Sequence, residues 1–209
     1  MNKVSHIEVI GSLVYKVSEK LRNDSDFLER LSEYRFYENS FDKDGNFSLW
    51  HYVGTQNEIS NALVNIATKT NKFQYPSLLN IQPCRQNRTL NHTEIEYSLV
   101  FVAPVESEWS TEERDKFLFE PLLRPLYAEF LKQIDNSRYF FRDYDPVPHT
   151  YYENFATGGE SGVILEKYGN YLSAVELHKL QLKLRNQLCD DQIEQIKKEN
   201  YLASASIKI

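Results

Sequence analysis

Between Glu94 and Val102 the apolar residues Ile95, Tyr97, Leu99 and Phe101 alternate with Glu94, Glu96, Ser98 and Val100. A period of two predicts a strand that lays one face on a hydrophobic core. Past Trp109 the period changes. Ser110 and Glu113 form a capping box, and Phe117, Leu118, Leu122, Leu126, Phe130, Leu131 and Ile134 then recur at helical spacing. A strand followed by a long helix that shares its apolar face constrains the chain to layered α+β packing.

The flanking segments extend that layer. After Tyr75-Pro76, Leu79 and Ile81 alternate with Asn80 and Gln82, which predicts a strand antiparallel to 94–102 and a polar loop from Arg85 to Thr93 between them. A third strand is expected from Tyr171 to Gln187, but its phase slips: Val175 and Leu177 lie on one parity, Leu180, Leu182 and Leu184 on the other. A bulge near His178 or Lys179 reconciles the halves. Leu177, Leu180, Leu184 and Leu188 also fit a helix, so both readings stand at this stage. Pro121 and Pro125 interrupt the long helix and predict a bend or break.

Toward the start of the chain, Ile7, Ile10, Val14, Val17 and Leu21 mark an amphipathic helix that needs a partner surface. A short helix over Asp26 to Tyr34 follows, capped by Asp24 or Ser25. The run Asp42-Lys43-Asp44-Gly45-Asn46 predicts a turn between two short strands. Thr55 and Glu58 open another capped helix up to about Lys69. The expected fold is therefore α+β: a small antiparallel sheet packed against a long kinked helix and an N-terminal amphipathic helix. Residues 1–188 make a single domain and 189–209 a C-terminal extension.

Composition narrows the function classes. Net charge is −6 at pH 7, so a broad phosphate-neutralising surface is absent. No apolar run reaches the length of a membrane span, and the first residues lack a secretory pattern. Cys84 and Cys189 are too few for a disulfide framework or a thiolate cage, and Cys84 reads as a structural thiol. His6, His51, His92, His149 and His178 occur singly, without the spacing of a metal pair. Asp42, Asp44 and Asn46 resemble a calcium loop, but Phe47 and Val53 stand where its glycine and bidentate carboxylate belong. The run Gly158-Gly159-Glu160-Ser161-Gly162-Val163 is neither a phosphate loop nor a nucleophile elbow. No cofactor, metal or catalytic residue is nominated.

The stretch from Tyr139 to Tyr171 is an aromatic-rich loop, with Pro146, Pro148, Gly158, Gly159 and Gly162 breaking any period. Its side chains Tyr139, Phe140, Phe141, Tyr144, Tyr151, Tyr152 and Phe155 either pad the core or form a subunit interface. Toward the end of the sequence Ala203, Ala205, Ile207 and Ile209 alternate with Ser204, Ser206 and Lys208. This is strand patterning, read either as an arm that pairs with a neighbouring subunit through Ile207 and Ile209 or as a frayed tail.

The order of segments adds a resemblance. The amphipathic first helix, the Tyr75-Pro76 start of the hairpin, the Ser110-Thr111-Glu112-Glu113-Arg114 helix start, the stretch from Phe119 to Tyr127 with its two prolines, and the turn from Val147-Pro148-His149 to Tyr152 together resemble neck or tail-completion proteins of tailed bacteriophages. These include tail-terminator-like ring proteins of phages of gut bacteria such as crAss-like phages. The resemblance spans roughly residues 1–188 and carries no catalytic motif. It implies a virion protein, assembled in the host cytoplasm, that forms a ring of six or twelve copies at the portal-tail junction. Its implied partners are portal, neck or tail proteins, with DNA passing through the channel without sequence-specific contact and no membrane. The Phe36 to Tyr52 insertion and the tail after Cys189 depart from the pattern. The alternative from another class is a cytoplasmic enzyme or ligand-binding module with a pocket lined by the 139–171 aromatics.

Overall fold

A computed structural model describes residues 4–59, 74–106, 108–143, 146–154 and 172–203. The first helix, α1 (His6–Leu21), starts where Ser5 and Glu8 cap each other: Glu8 N–H donates to Ser5 Oγ at 3.2 Å and Ser5 N–H to Glu8 Oε2 at 2.6 Å. Its sides carry Val9, Ile10, Leu13, Val14, Val17 and Leu21, all buried, so α1 lies inside the fold on more than one face. Asp24 caps α2 (Ser25–Leu31) by accepting from Phe27 N–H at 3.0 Å. A 3₁₀ turn, Tyr37–Ser40, leads into the Asp42 turn, where Asp42 Oδ1 accepts from the N–H groups of Asp44 and Asn46 at 2.9 Å each. Gly45 there has φ +77°, the left-handed region that glycine occupies without strain. The flanks of the turn make a single bridge between Phe41 and Phe47 rather than the two strands the sequence predicts.

Five strands form one sheet: β1 (Trp50–Thr55), β2 (Ser77–Arg88), β3 (His92–Pro104), β4 (Thr150–Asn154) and β5 (Leu172–Arg185), in the order β1-β2-β3-β5-β4. The expected three strands are its centre. The sheet is mixed rather than antiparallel because β1 pairs with β2 in parallel. The Thr55–Glu58 box is present, Thr55 N–H donating to Glu58 Oε2 at 2.7 Å, and opens a helix at Gln56 whose expected course beyond Ile59 lies outside the described residues. The predicted loop from Arg85 to Thr93 is mostly strand: Arg85 to Arg88 pair with Thr93 to Glu96, leaving a turn at 89–91. These strand residues are polar and exposed, so they lack the alternation that marks a half-buried strand. The ladder shifts register between Ile81 and Arg85, around Pro83, which has no N–H to give it.

Leu180 pairs with Tyr97 and Leu177 with Leu99, so His178 and Lys179 together oppose Ser98. This is the expected bulge, with Lys179 at φ +54°. It keeps Val175, Leu177, Leu180, Leu182 and Leu184 on one face and excludes the helical reading of this segment.

On that face lies the main core. Ile95, Tyr97, Leu99 and Phe101 are buried as their alternation predicts, packed under α1, α2 and the long helix. The long helix does not break at its prolines. It opens as α3 (Thr111–Arg114) on the Ser110–Glu113 box, widens into a π-helical stretch (Asp115–Leu123), and continues as α4 (Arg124–Asn136). Arg124 N–H donates to Phe119 C=O, an i to i−5 bond that passes over Pro121 and leaves room for a ring with no donor. Phe130 of α4 meets Phe101 of β3 edge to face, with centroids 5.6 Å apart.

The segment read as an extension begins with α5 (Asp190–Ala203), which packs along α1 and places Ile193, Ile196 and Ala203 in the main core. Ala203, expected to begin the strand-patterned arm, is thus the last residue of this helix. The opposite sheet face has a smaller core of Tyr52, Ile59, Leu79, Val100, Val102, Leu172 and Ala174.

Candidate functional site

In its described part, 139–143 and 146–154, the aromatic stretch is more regular than its composition predicts. Arg185 N–H donates to Tyr139 C=O and Phe141 N–H to Lys183 C=O, both at 2.9 Å, and Phe140 bridges to Leu184. Farther on Gln181 N–H donates to Pro148 C=O at 3.1 Å, and β4 then pairs with β5 from Thr150–His178 to Asn154–Ala174. Residues 139–141 and 148–154 therefore run antiparallel along the outer side of β5, in two pieces. Pro146 lies between the two pieces and has no N–H to give a ladder.

The candidate interface residues divide accordingly. Tyr139 and Phe140 are 4% and 3% exposed and belong to the main core of the chain. Phe141 is half-buried, its ring against His92 and under the Arg185 guanidinium at 4.1 Å. Tyr151 is half-buried and packs on Tyr127 of α4 with centroids 4.7 Å apart. Tyr152, on the other face of β4, is 44% exposed and stands edge-on to the His178 ring at 5.4 Å. Tyr144, Phe155, Ile207 and Ile209 lie outside the described residues, as does the run Gly158 to Val163.

A charged clamp fixes β4 to the helix layer. Arg124, the first residue of α4, donates through Nε to Glu153 Oε1 at 2.7 Å and through Nη2 to Glu153 Oε2 at 2.9 Å, and its Nη2 also reaches Asp115 Oδ1 at 2.5 Å. Two parallel bonds to one carboxylate fix orientation as well as charge. The Tyr151 hydroxyl donates to Glu153 Oε1. The Arg124 bond holds the Glu153 carboxyl below its ordinary pKa, while burial and then the Glu153 bond push the Tyr151 hydroxyl up. Beside them Tyr127 Oη and His149 Nε2 are 2.9 Å apart. Sequence reasoning missed Arg124, Asp115 and Glu153, because the π-helical widening that aims Arg124 at the strand leaves no periodic trace.

Beyond Tyr152 the cluster continues on β5. Glu176, buried, lies with Oε2 at 2.5 Å from His178 Nε2 and accepts from Asn154 Nδ2 at 3.4 Å. These bonds occupy the carboxylate and hold the base of Tyr152's neighbourhood in place.

A second polar cluster joins α1 to α5. Glu199, buried, accepts from Ser12 Oγ at 2.5 Å and Gln195 Nε2 at 2.8 Å, with Lys16 Nζ at 3.7 Å. Lys16 also donates to the Tyr139 hydroxyl at 2.8 Å, which explains a tyrosine in the core. Next to this seam His51 of β1 is buried with neither ring nitrogen hydrogen-bonded, and burial lowers its pKa to about 4.

Two clefts open on the hairpin end of the sheet. One of about 300 Å³ is lined by Arg85, Asn87, Glu94, Glu96, Gln181 and Lys183 with Ile95 and Leu182. The other, about 630 Å³, lies between the start of α1 and the 89–91 turn. Neither is lined by a described residue of the 139–171 segment. Cys84 is half-buried and its thiol is pushed up by burial, while Cys189 is exposed. Among the described residues no group of three His, Cys, Asp or Glu side chains could hold a metal, and no helix is long and apolar enough to cross a membrane. Comparison with protein-family models, with curated proteins and with solved structures gives no match.

Proposed function

We propose that this chain is a structural subunit that assembles with copies of itself into a ring at the neck of a tailed phage, between portal and tail. The observation that carries the reading is β4: a short edge strand locked to the helix layer by Arg124, with exposed Tyr152 on its far face and, among the described residues, only β5 as a strand partner. A lone edge strand is an aggregation liability in a monomer and a ready docking rail in an assembly. Tail terminators, which the order of segments resembles, pack a sheet against helices, and the layers of this chain are compatible with that form. A channel wall formed by a chain of net charge −6 suits DNA that must slide without sticking. The rival reading, a pocket lined by the 139–171 aromatics, has Tyr139 and Phe140 against it, since both fill the core rather than a cleft. Light scattering on the size-exclusion peak, followed by negative-stain microscopy, tests the proposal. Closed rings of six or twelve copies are expected, and a monomer at every concentration overturns it.

A further inference from the structure

We propose that β4 is the acceptor edge for a neighbouring copy of this chain, and that the occupant is that neighbour's segment 204–209, laid along β4 as a sixth strand. The inference rests on the ring reading and names its joint.

The acceptor is prepared. Among the described residues only β5 pairs with β4, and Thr150-Tyr151-Tyr152-Glu153-Asn154 carries no lysine, proline or bulge to blunt its outer edge, its one charge, Glu153, being held by Arg124. The strand is held on both faces: Arg124 grips Glu153 on one and the His178 ring abuts Tyr152 on the other. An ordered backbone pays little further entropy when a partner strand pairs with it.

The donor leaves from the far end of the same sheet. Asn200, less than one helical turn before the end of α5, sits beside Gly11 of α1 and His51 of β1. From β1 to β4 the sheet spans four strand spacings, about 19 Å. Six extended residues reach at most about 21 Å, and covering five residues of β4 uses about 17 Å of that. Residues 204–209 therefore cannot both cross the sheet and lie along β4 of their own chain, so the pairing is between copies. A donor at one end of the sheet and an acceptor at the other define a head-to-tail contact, the kind that closes into rings.

Side-chain chemistry sets the facing. With Ile207 and Ile209 on the side of exposed Tyr152, Lys208 falls on the side of Glu153 and Asp115. Those two carboxylates share the single Arg124 guanidinium, and Lys208 supplies the second positive charge.

The test uses the full chain and a version ending at Ala203, compared by light scattering and thermal melting. Deleting 204–209 is expected to lower the assembled fraction at least tenfold at equal concentration, with the melting temperature of the monomer unchanged. In a second arm, Tyr152→Cys in the shortened chain is mixed with Ile207→Cys in the full chain, both with Cys84→Ser and Cys189→Ser. A disulfide-linked heterodimer is expected only in the mixture. If the wild type assembles and the shortened chain assembles equally well, or the mixture forms no cross-link, this inference falls while the ring reading stands. A wild type that never assembles overturns the ring reading and the joint with it.

Discussion

A Cβ atom built on Gly11 would lie 1.8 Å from Asn200 Oδ1, so α1 and α5 meet at a point where only hydrogen fits. Gly11→Ala gains helix propensity of about 1 kcal/mol but must expel the Asn200 amide, an overpacking cost of about 1–3 kcal/mol. Net destabilisation is expected, with a lower urea midpoint. Adding Asn200→Ala removes the clashing atoms, leaving His51 Nδ1 at 3.1 Å as the nearest neighbour. The double variant should recover most of the loss. A single variant more stable than wild type would show that the seam relaxes freely.

His51 ties stability to acid. Its folded pKa is lowered to about 4 from an ordinary 6.5 by burial, so between those values the unfolded chain binds a proton that the folded one excludes. The contribution is fully present above pH 6.5 and falls as pH drops toward 4, at up to about 1.4 kcal/mol per pH unit. His51→Phe removes the titration along with two buried nitrogens that have no partner. Urea midpoints measured from pH 7.5 to 4.5 should fall less steeply in the variant, with stability at pH 7 equal or higher. Parallel profiles for the two proteins would assign the acid sensitivity to other groups, such as His6, whose pKa burial also lowers.

The legible parts of this fold are those in which burial imposes a period. The alternation Ile95, Tyr97, Leu99, Phe101 marks β3 because one face is sealed by helices, and the parity change of the β5 leucines marks the bulge because every leucine must reach the same core. β1 and β4 escape notice because edge strands are short: Trp50 and Tyr52 face one layer and His51 the other, while adjacent Tyr151 and Tyr152 look alike in sequence but differ in exposure. The α1–α5 seam is made by a glycine, a serine, a lysine and a glutamate, residue types that carry no periodic signal. Arg124 joins Asp115 and Glu153 only after Pro121 and the π-helical turn have set its direction, a relationship that spacing does not encode.

Lys179 is the one non-glycine residue with positive φ among the described residues, and it supplies the extra residue of the β5 bulge. A side chain there costs about 1–2 kcal/mol relative to glycine, partly offset by the entropy that glycine loses on folding. Lys179→Gly should be neutral or stabilising by up to about 1 kcal/mol, whereas β-branched Lys179→Ile should destabilise by about 1–2 kcal/mol. Chemical melts of both variants check the order. A variant lacking residue 179 altogether should keep cooperative unfolding, since without the extra residue Leu180, Leu182 and Leu184 follow Leu177 at steps of two and stay on the face of Val175 and Leu177.

Arg124 is the tie between helix and edge strand, and its removal should loosen β4 more than the rest of the fold. Its guanidinium is 40% exposed, so the direct loss of ion pairing is modest, about 1 kcal/mol or less per pair. The larger effect is positional: Arg124→Met leaves Glu153 and Asp115 as unneutralised carboxylates and frees the Glu153 side of β4. Hydrogen exchange at 151–154 should accelerate at least tenfold, while protection in β3 changes little. The same tie predicts an acid limb. Because Arg124 lowers the folded pKa of Glu153 below its unfolded value, the stabilisation is present above the unfolded carboxylate pKa and is lost as pH falls through the folded one. In wild type β4 protection should therefore decline below about pH 4.5, and Arg124→Met should already show the low protection at pH 7. Equal exchange rates in the two proteins across that range would mean that β4 is held by its pairing with β5 alone.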